Sequence, residues 1–155
     1  TLMRSSAASD VYKRQDYGFV GDVKKVDASL LSDLIYKGVV PVMAPLTHDG
    51  EGNMLNTNAD TIAGETAKAL AQLFDVTLVF CFEKKGVLRD ENDDDSVIPQ
   101  ITPAEFNQYV ADGIIQGGMI PKLENSFEAI NAGVSEVVIT LASAINGDSG
   151  TRIKK

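Results

Sequence analysis

The sequence predicts an α/β protein, a three-layer sandwich built on a largely parallel sheet. Three observations carry that expectation. The apolar runs "VVPVMAPL", "VTLVFCF" and "SEVVITLA" read as short buried strands. Segments with helical spacing of apolar residues lie between them. The links are short, and such alternation is the mark of crossover connections that lay successive strands parallel. A chain of 155 residues suits one domain and is long enough to bury a core.

The elements are taken in chain order. Residues 1–15, "TLMRSSAASDVYKRQ", are small, polar and without period, so a poorly ordered leader is expected there, with the domain filling 16–155. "YGFVGDVKKVD" is a β-rich run with glycines at Gly18 and Gly21. Asp27 reads as the N-cap of a helix in "ASLLSDLIYKG", which Gly38 ends. "VVPVMAPL" is expected as a buried strand and "THDGEGN" as a turn. An amphipathic helix covers about 58–74, and "VTLVFCF" is the second strand. Its Cys81 is expected to be a buried, inert thiol. "EKKGVLRDENDDDS" is an acidic loop; its run 90–95 lacks the spacing of a calcium loop and reads as a solvated turn. "ITPAEFNQYVADG" starts with a capping box, Thr102 at N-cap, Pro103 at N1 and Glu105 at N3. "IIQGGMIPK" is a glycine-containing loop that leads into a helix through Ala132. "SEVVITLA" is the third strand, and "GDSGTRIKK" is expected to add a short terminal one.

Composition removes several classes of partner. Lys and Arg total 14 against 22 Asp and Glu, a net charge of −8, so no broad basic face is available for nucleic acid or an anionic membrane. A single cysteine rules out a disulfide within the chain. No apolar run approaches the ~20 residues of a membrane span, and residues 1–15 have no apolar centre of a signal peptide. A cytoplasmic location is the expectation.

In a sheet of this kind ligands sit beyond the carboxyl ends of the strands, which directs attention to the loops 46–58, 83–88 and 114–122. In "NTNAD" three polar side chains, Asn56, Asn58 and Asp60, recur at every second position before a helix. Asn58 suits the cap, Asn56 then lies in the preceding extended segment, and Asp60 sits in a first turn whose dipole favours its charge. Plain capping chemistry explains this stretch; so does a site in which Asn56 reads a ligand and Asp60 holds ammonium groups. In "GGMIPKLENSFEAI", Gly117 and Gly118 permit close backbone approach, and Lys122 lies in a first turn where a cation is electrostatically misplaced. A bound anion beside it would remove the anomaly, and a snorkelling surface lysine is the plainer alternative. His48, in "THDG", reads as a loop residue.

Three runs, "GFVGDVKKVDASLL", "PVMAPLTHDGEGNMLNTNADTIAGETA" and "GGMIPKLENSFEAINAGVSEVVI", resemble the acetylglutamate kinases of the amino acid kinase family. The resemblance covers 16–155 and points to the C-terminal, nucleotide-binding half of that fold. It implies an ATP-dependent phosphotransferase that makes the acyl phosphate of N-acetyl-L-glutamate or another N-acyl-L-glutamate, with ATP and Mg²⁺ as the implied cofactors and homo-oligomers within its range. By the resemblance, Lys122 would stabilise the transferring phosphoryl group and Asp60 would orient catalytic lysines. Asn56, with Asn58 beside it, would bind the acyl-glutamate. Glu83, Lys84, Lys85, Gly86, Val87 and Leu88, together with Ile114, Ile115, Gln116, Gly118 and Met119, would line the ATP site. No residue is assigned to a resident metal. Glutamate 5-kinase shares the glycine–methionine–lysine motif, but the N-x-N-A-D run favours the acylated substrate. The family's initial strand, lysine and glycine-rich loop are not found in these residues. The expectation is therefore that this chain alone binds ATP weakly and does not turn over; a non-catalytic nucleotide-binding fragment is the rival reading.

Overall fold

The computed structural model describes residues 18–145 and 149–154; the expected leader at 1–15 lies outside them. The first helix, α1 (Ala28–Tyr36), begins as its cap dictates, with Asp27 Oδ1 accepting from Leu30 N–H at 3.0 Å. Gly38 leaves the helix at φ +76°, a conformation that costs glycine little. Among its described residues the β-rich run before α1 contributes a parallel bridge between Val20 and Asn56 and no strand.

A two-stranded antiparallel hairpin comes next, β1 (Leu46–His48) and β2 (Met54–Asn56). Its turn is wound on Asp49, whose carboxylate accepts from Asn53 Nδ2 at 2.6 Å and from Glu51 N–H at 2.7 Å. The bond from the Asn53 side chain, aided by that backbone donor, holds the Asp49 carboxyl below its usual range. At the base of the hairpin the buried Thr57 hydroxyl donates to the Gly21 carbonyl at 3.0 Å and lies 2.8 Å from Thr47 Oγ1.

The run 39–46 corrects the sequence expectation. It is not a buried strand: Val40 is 82% and Val42 94% exposed, and only Leu46 enters a strand. Pro41 and Pro45 remove two donors from any ladder. Among the described residues no neighbouring strand pairs with 39–45. An apolar run becomes a buried strand only when other strands and a packed layer meet it.

The second helix, α2 (Ala59–Leu70), ends four residues before the expected Phe74, in the turn 71–73. The main sheet contains β3 (Thr77–Phe82), β4 (Gln100–Ile101), β5 (Glu136–Leu141) and β6 (Thr151–Ile153), in the order β3–β5–β6–β4. Strands β3 and β5 are parallel, as are β4 and β6, while β5 and β6 run antiparallel. The architecture is thus mixed α/β with a mostly parallel sheet, and the terminal strand is present as β6.

Two further α-helices, α3 (Pro103–Ala111) and α4 (Met119–Asn131), and a 3₁₀ turn at Ala142–Ala144 complete the described fold. The capping box of α3 forms, with Glu105 accepting from the Thr102 hydroxyl and backbone N–H. Helix α4 buries Leu123, Ser126, Ala129 and Ile130, one face at helical spacing, and contacts β5 and β6. The apolar members of that face share one core with Leu78, Phe80, Val137, Ile139 and Ile153.

Cys81 is the second correction, since it is exposed. Along β3 only Leu78 and Phe80 are buried, the alternate residues of one face, and Cys81 lies on the other. Among the described residues β3 is at the sheet's edge. Its inner neighbour β5 buries Val137, Val138, Ile139 and Thr140 in succession, which requires cover on both faces.

The acidic segment after β3 folds back on itself. Leu88 bridges Val97, and Arg89 N–H donates to the Ser96 carbonyl at 2.9 Å. Thr151 locks this excursion to the sheet. Its buried hydroxyl donates to the Ile98 carbonyl at 2.7 Å and accepts from Val87 N–H at 2.8 Å. Replacing Thr151 with Val would leave a buried donor and a buried acceptor unpaired. Thr151→Val is expected to lower the unfolding free energy by about 1–3 kcal/mol, and Thr151→Ser by much less, read from urea denaturation of both variants.

Candidate functional site

The first turns of α2 and α4 meet. Asp60 is the second residue of α2 and Lys122 the fourth of α4, and Lys122 Nζ lies 2.8 Å from Asp60 Oδ2. Asn58 caps α2 through its Oδ1, which accepts from Thr61 N–H at 3.1 Å. Asp60 therefore stands in a favourable dipole, and its charge compensates Lys122 in an unfavourable one. The Lys122 and Asp60 side chains are 28% and 40% exposed, a placement in which an ion pair contributes only about 0–1 kcal/mol to stability. Holding the fold together does not explain the pair.

The start of α4 is built unlike an ordinary capped helix. Gly118 at the N-cap supplies no side-chain bond, and no acidic residue occupies the first turn. Met119 and Ile120 N–H groups donate to the Gln116 and Gly117 carbonyls, and Pro121 has no N–H. This end therefore presents its dipole more than free donors. A Cβ placed on Gly117 or Gly118 would meet nothing within 4 Å, so the space before them is open, and Gly117 holds φ +55°.

Phe82, the last residue of β3, lies beneath the lysine. Lys122 Nζ is 3.8 Å from its ring centroid. The pair thus stands at the carboxyl end of β3, where the parallel β3–β5 ladder also ends. Asn56 ends β2 with an exposed side chain, and its backbone is clamped on both sides: its N–H donates to Phe19 O at 2.7 Å and its carbonyl accepts from Gly21 N–H at 2.9 Å.

A cleft of about 520 Å³ opens beside the same edge. Lys84, Gly86, Val87, Leu88, Ile114, Ile115, Gln116 and Met119 line it, bringing together residues that the sequence singled out on two separate loops. Glu83, Lys85 and Gly118 do not line it. Glu83 is exposed at the end of β3, and Lys85 is drawn to Asp95 Oδ1 at 2.7 Å, a hydrogen bond that raises its pKa. Lys84 lies 3.4 Å from Asp94 Oδ1. The cleft also uses Arg89, Asp90, Glu91 and Gly113, which sequence reasoning missed although Arg89 and Gly113 directly adjoin the runs it had chosen. The Arg89 guanidinium lies 5.5 Å from the Tyr109 ring centroid. A second hollow of about 720 Å³ is lined in part by Lys24, Lys25 and His48, and neither Asp60 nor Lys122 is in the lining of either cavity. Among the described residues no three His, Cys, Asp or Glu side chains converge to hold a metal, and no helix is long and apolar enough to cross a membrane.

Comparison with known proteins gives a consistent set of relatives. The sequence profile of the amino acid kinase family matches residues 3–141. Acetylglutamate kinase of Bacteroides thetaiotaomicron is 87% identical over 143 residues, which are 92% of this chain and 56% of that protein. The chain spans about half the length of the curated relatives it matches. Among solved structures, smu.665 from Streptococcus mutans UA159 superimposes with a TM-score of 0.71 at 36% identity, over 89% of this chain and 52% of that one. Carbamate kinase from Giardia lamblia bound to AMP-PNP gives 0.60 at 22% identity, over 86% of this chain and 50% of that one, a likeness of fold.

If the Asp60–Lys122 pair serves a ligand and not the fold, removing its charge should barely alter stability. Asp60→Asn is expected to change the unfolding free energy by less than about 1 kcal/mol, measured by urea denaturation at moderate ionic strength. A loss of several kcal/mol would identify the pair as structural.

Proposed function

The chain belongs to the amino acid kinase family, and from that premise we propose that it carries the nucleotide side of a kinase that phosphorylates the side-chain carboxylate of an N-acyl-L-glutamate. The observation that carries the reading is Lys122 held by Asp60 where two helices start, on the helix whose Met119 also lines the cleft. The names of the relatives support N-acetyl-L-glutamate as substrate and arginine biosynthesis as context, N-succinyl-L-glutamate being the near alternative. The AMP-PNP bound to the Giardia carbamate kinase, which shares the fold, supports ATP as the donor. A cytoplasmic location goes with this reading.

The chemistry asks little covalent work of a protein. The acceptor carboxylate is ionised at neutral pH and needs no general base, so His48 has no task in the step. ATP would arrive as its Mg²⁺ complex, the metal carried on substrate phosphates and not by a protein cage. The γ-phosphoryl group passes in line from the β-phosphate oxygen to the carboxylate oxygen; the γ-phosphorus–oxygen bond to ADP breaks as the acyl phosphate bond forms. Negative charge spreads over the phosphoryl oxygens, and Lys122 meets it with an ammonium already in position. Asp60 takes one lysine donor and fixes its direction. Asn56, in an extended strand with its backbone clamped, would present its amide to the acyl-glutamate.

Two expected outcomes test the assignment, both in a full-length chain in which these residues replace the matching stretch of the Bacteroides thetaiotaomicron relative. Lys122→Ala should lower kcat on the order of 10²-fold or more with a small change in the KM for ATP; a kcat within about threefold of the parent would remove Lys122 from the mechanism. Asn56→Ala should weaken binding of N-acetyl-L-glutamate, read by calorimetry, and leave ATP binding intact. Equal losses for both ligands, or tighter binding of unacylated glutamate, would contradict the role given to Asn56.

A further inference from the structure

We propose that Phe82 is a positioning residue for Lys122, holding its ammonium on the ring face and so fixing the cation for phosphoryl transfer; this rests on Lys122 acting on the transferring phosphoryl group. The geometry is specific. Lys122 Nζ lies 3.8 Å from the Phe82 centroid, well inside the ~6 Å within which the negative face of a ring attracts a cation. The same nitrogen lies 2.8 Å from Asp60 Oδ2. Phe82 comes from β3 and Asp60 from α2, so two separate elements grip one atom carried by a third.

A lysine needs such help. Its ammonium is a hydrated point charge on a flexible four-carbon stem, and one half-exposed carboxylate leaves it free to swing about a single contact. A second carboxylate would fix it, but would add negative charge where the phosphoryl oxygens must sit. The Phe82 ring avoids that conflict. It anchors the ammonium and displaces water from one side without a formal charge, and it consumes no hydrogen-bond acceptor. The remaining donors stay available for an anion. Phe82 is half-buried and packs against the core on the face of β3 that carries Leu78 and Phe80, so the core fixes the ring and the ring meets the lysine.

The test has two independent arms. In the 155-residue chain with ¹³C-labelled lysine, the Lys122 ε-methylene resonance is assigned by its disappearance in Lys122→Arg. It should lie upfield of the other lysines, because it sits over a ring face, and should move to the common lysine position in Phe82→Leu. No upfield displacement in the parent chain would overturn the proposal. In the full-length grafted kinase, Phe82→Leu should lower kcat by roughly 3- to 30-fold with the KM for ATP within about twofold. Phe82→Tyr, which keeps the π face, should restore kcat. Phe82→pentafluorophenylalanine keeps the ring's shape and reverses its quadrupole, so it should behave as Leu does; parental kcat in that variant would show a packing role and overturn the proposal. The arms also separate this idea from the kinase reading. If Lys122→Ala left kcat intact while the lysine resonance remained shifted by Phe82, the kinase role of Lys122 would fail and the contact would stand. If Lys122 proved essential but Phe82 did not affect kcat, only the positioning role would fail.

Discussion

The seating of α4 on the sheet is the constraint on which the candidate site depends. Leu123, Ser126, Ala129 and Ile130 form its buried face, and Leu123 and Ala129 have no exposed surface. Burying a Leu or Ile side chain contributes about 1.5–3 kcal/mol, several times what a half-exposed ion pair can supply. The hydrophobic face therefore fixes the helix's rotation, and the Asp60–Lys122 pair is a consequence of it. Ser126 is tolerated in that face because its hydroxyl donates to the Lys122 carbonyl at 2.8 Å. Ser126 and Ala129 are also small, which suits a helix packed against both the sheet and α2. With Leu123 anchored, Lys122 is held one residue away at the rim, half in solvent.

That arrangement places charge where it is poorly tolerated by its own helix and well tolerated by its neighbour. Two helix starts side by side make a region of positive dipole, and Lys122 adds a full charge to it. Asp60 offsets that charge only in part, because both groups remain open to water. Under the proposed function this is a cation that a further anion could meet, on a helix whose start has open space at Gly117 and Gly118. Under that reading the anion would be a phosphate, held through the same physics that makes the pair a weak contributor to the fold. The lysines at 84 and 85 behave differently. Asp94 and Asp95 lie across from them in exposed pairs, so their charges are largely answered locally.

The cleft depends on a longer chain of constraints. Its lining includes Gly86, Val87 and Leu88, and their position rests on the Thr151 hydroxyl linking Val87 and Ile98. Gly86 leaves no room for more: a Cβ there would stand 2.8 Å from Thr151 Oγ1. Gly150, beside Thr151, has φ +114° and would place a Cβ 2.4 Å from the Ile139 carbonyl, so glycine is required for β6 to reach β5. Residues from the far end of the chain thus set the shape of a loop that comes after β3.

The sequence by itself determined the features that short-range chemistry determines. Asp27, Asn58 and the Thr102–Glu105 box cap their helices because a side-chain oxygen and a free N–H three residues on need no other partner. Strands β3 and β5 were legible as apolar runs, and Asn56 as an extended residue ahead of a cap, for similar local reasons. The tertiary structure alone decided the features that depend on a distant neighbour. The run 39–46 has the composition of a buried strand and lies exposed, because burial is conferred by partner strands and not by the run. Cys81 is exposed because it lies on the face of β3 opposite Leu78 and Phe80, on a strand that is at the sheet's edge among the described residues. The two-residue β4 carries no pattern of its own, and the antiparallel β5–β6 pairing interrupts an otherwise parallel ladder. The contact of Phe82 with Lys122 spans 40 residues of sequence; it exists only because α4 begins where β3 ends, and nothing in either run announces the other.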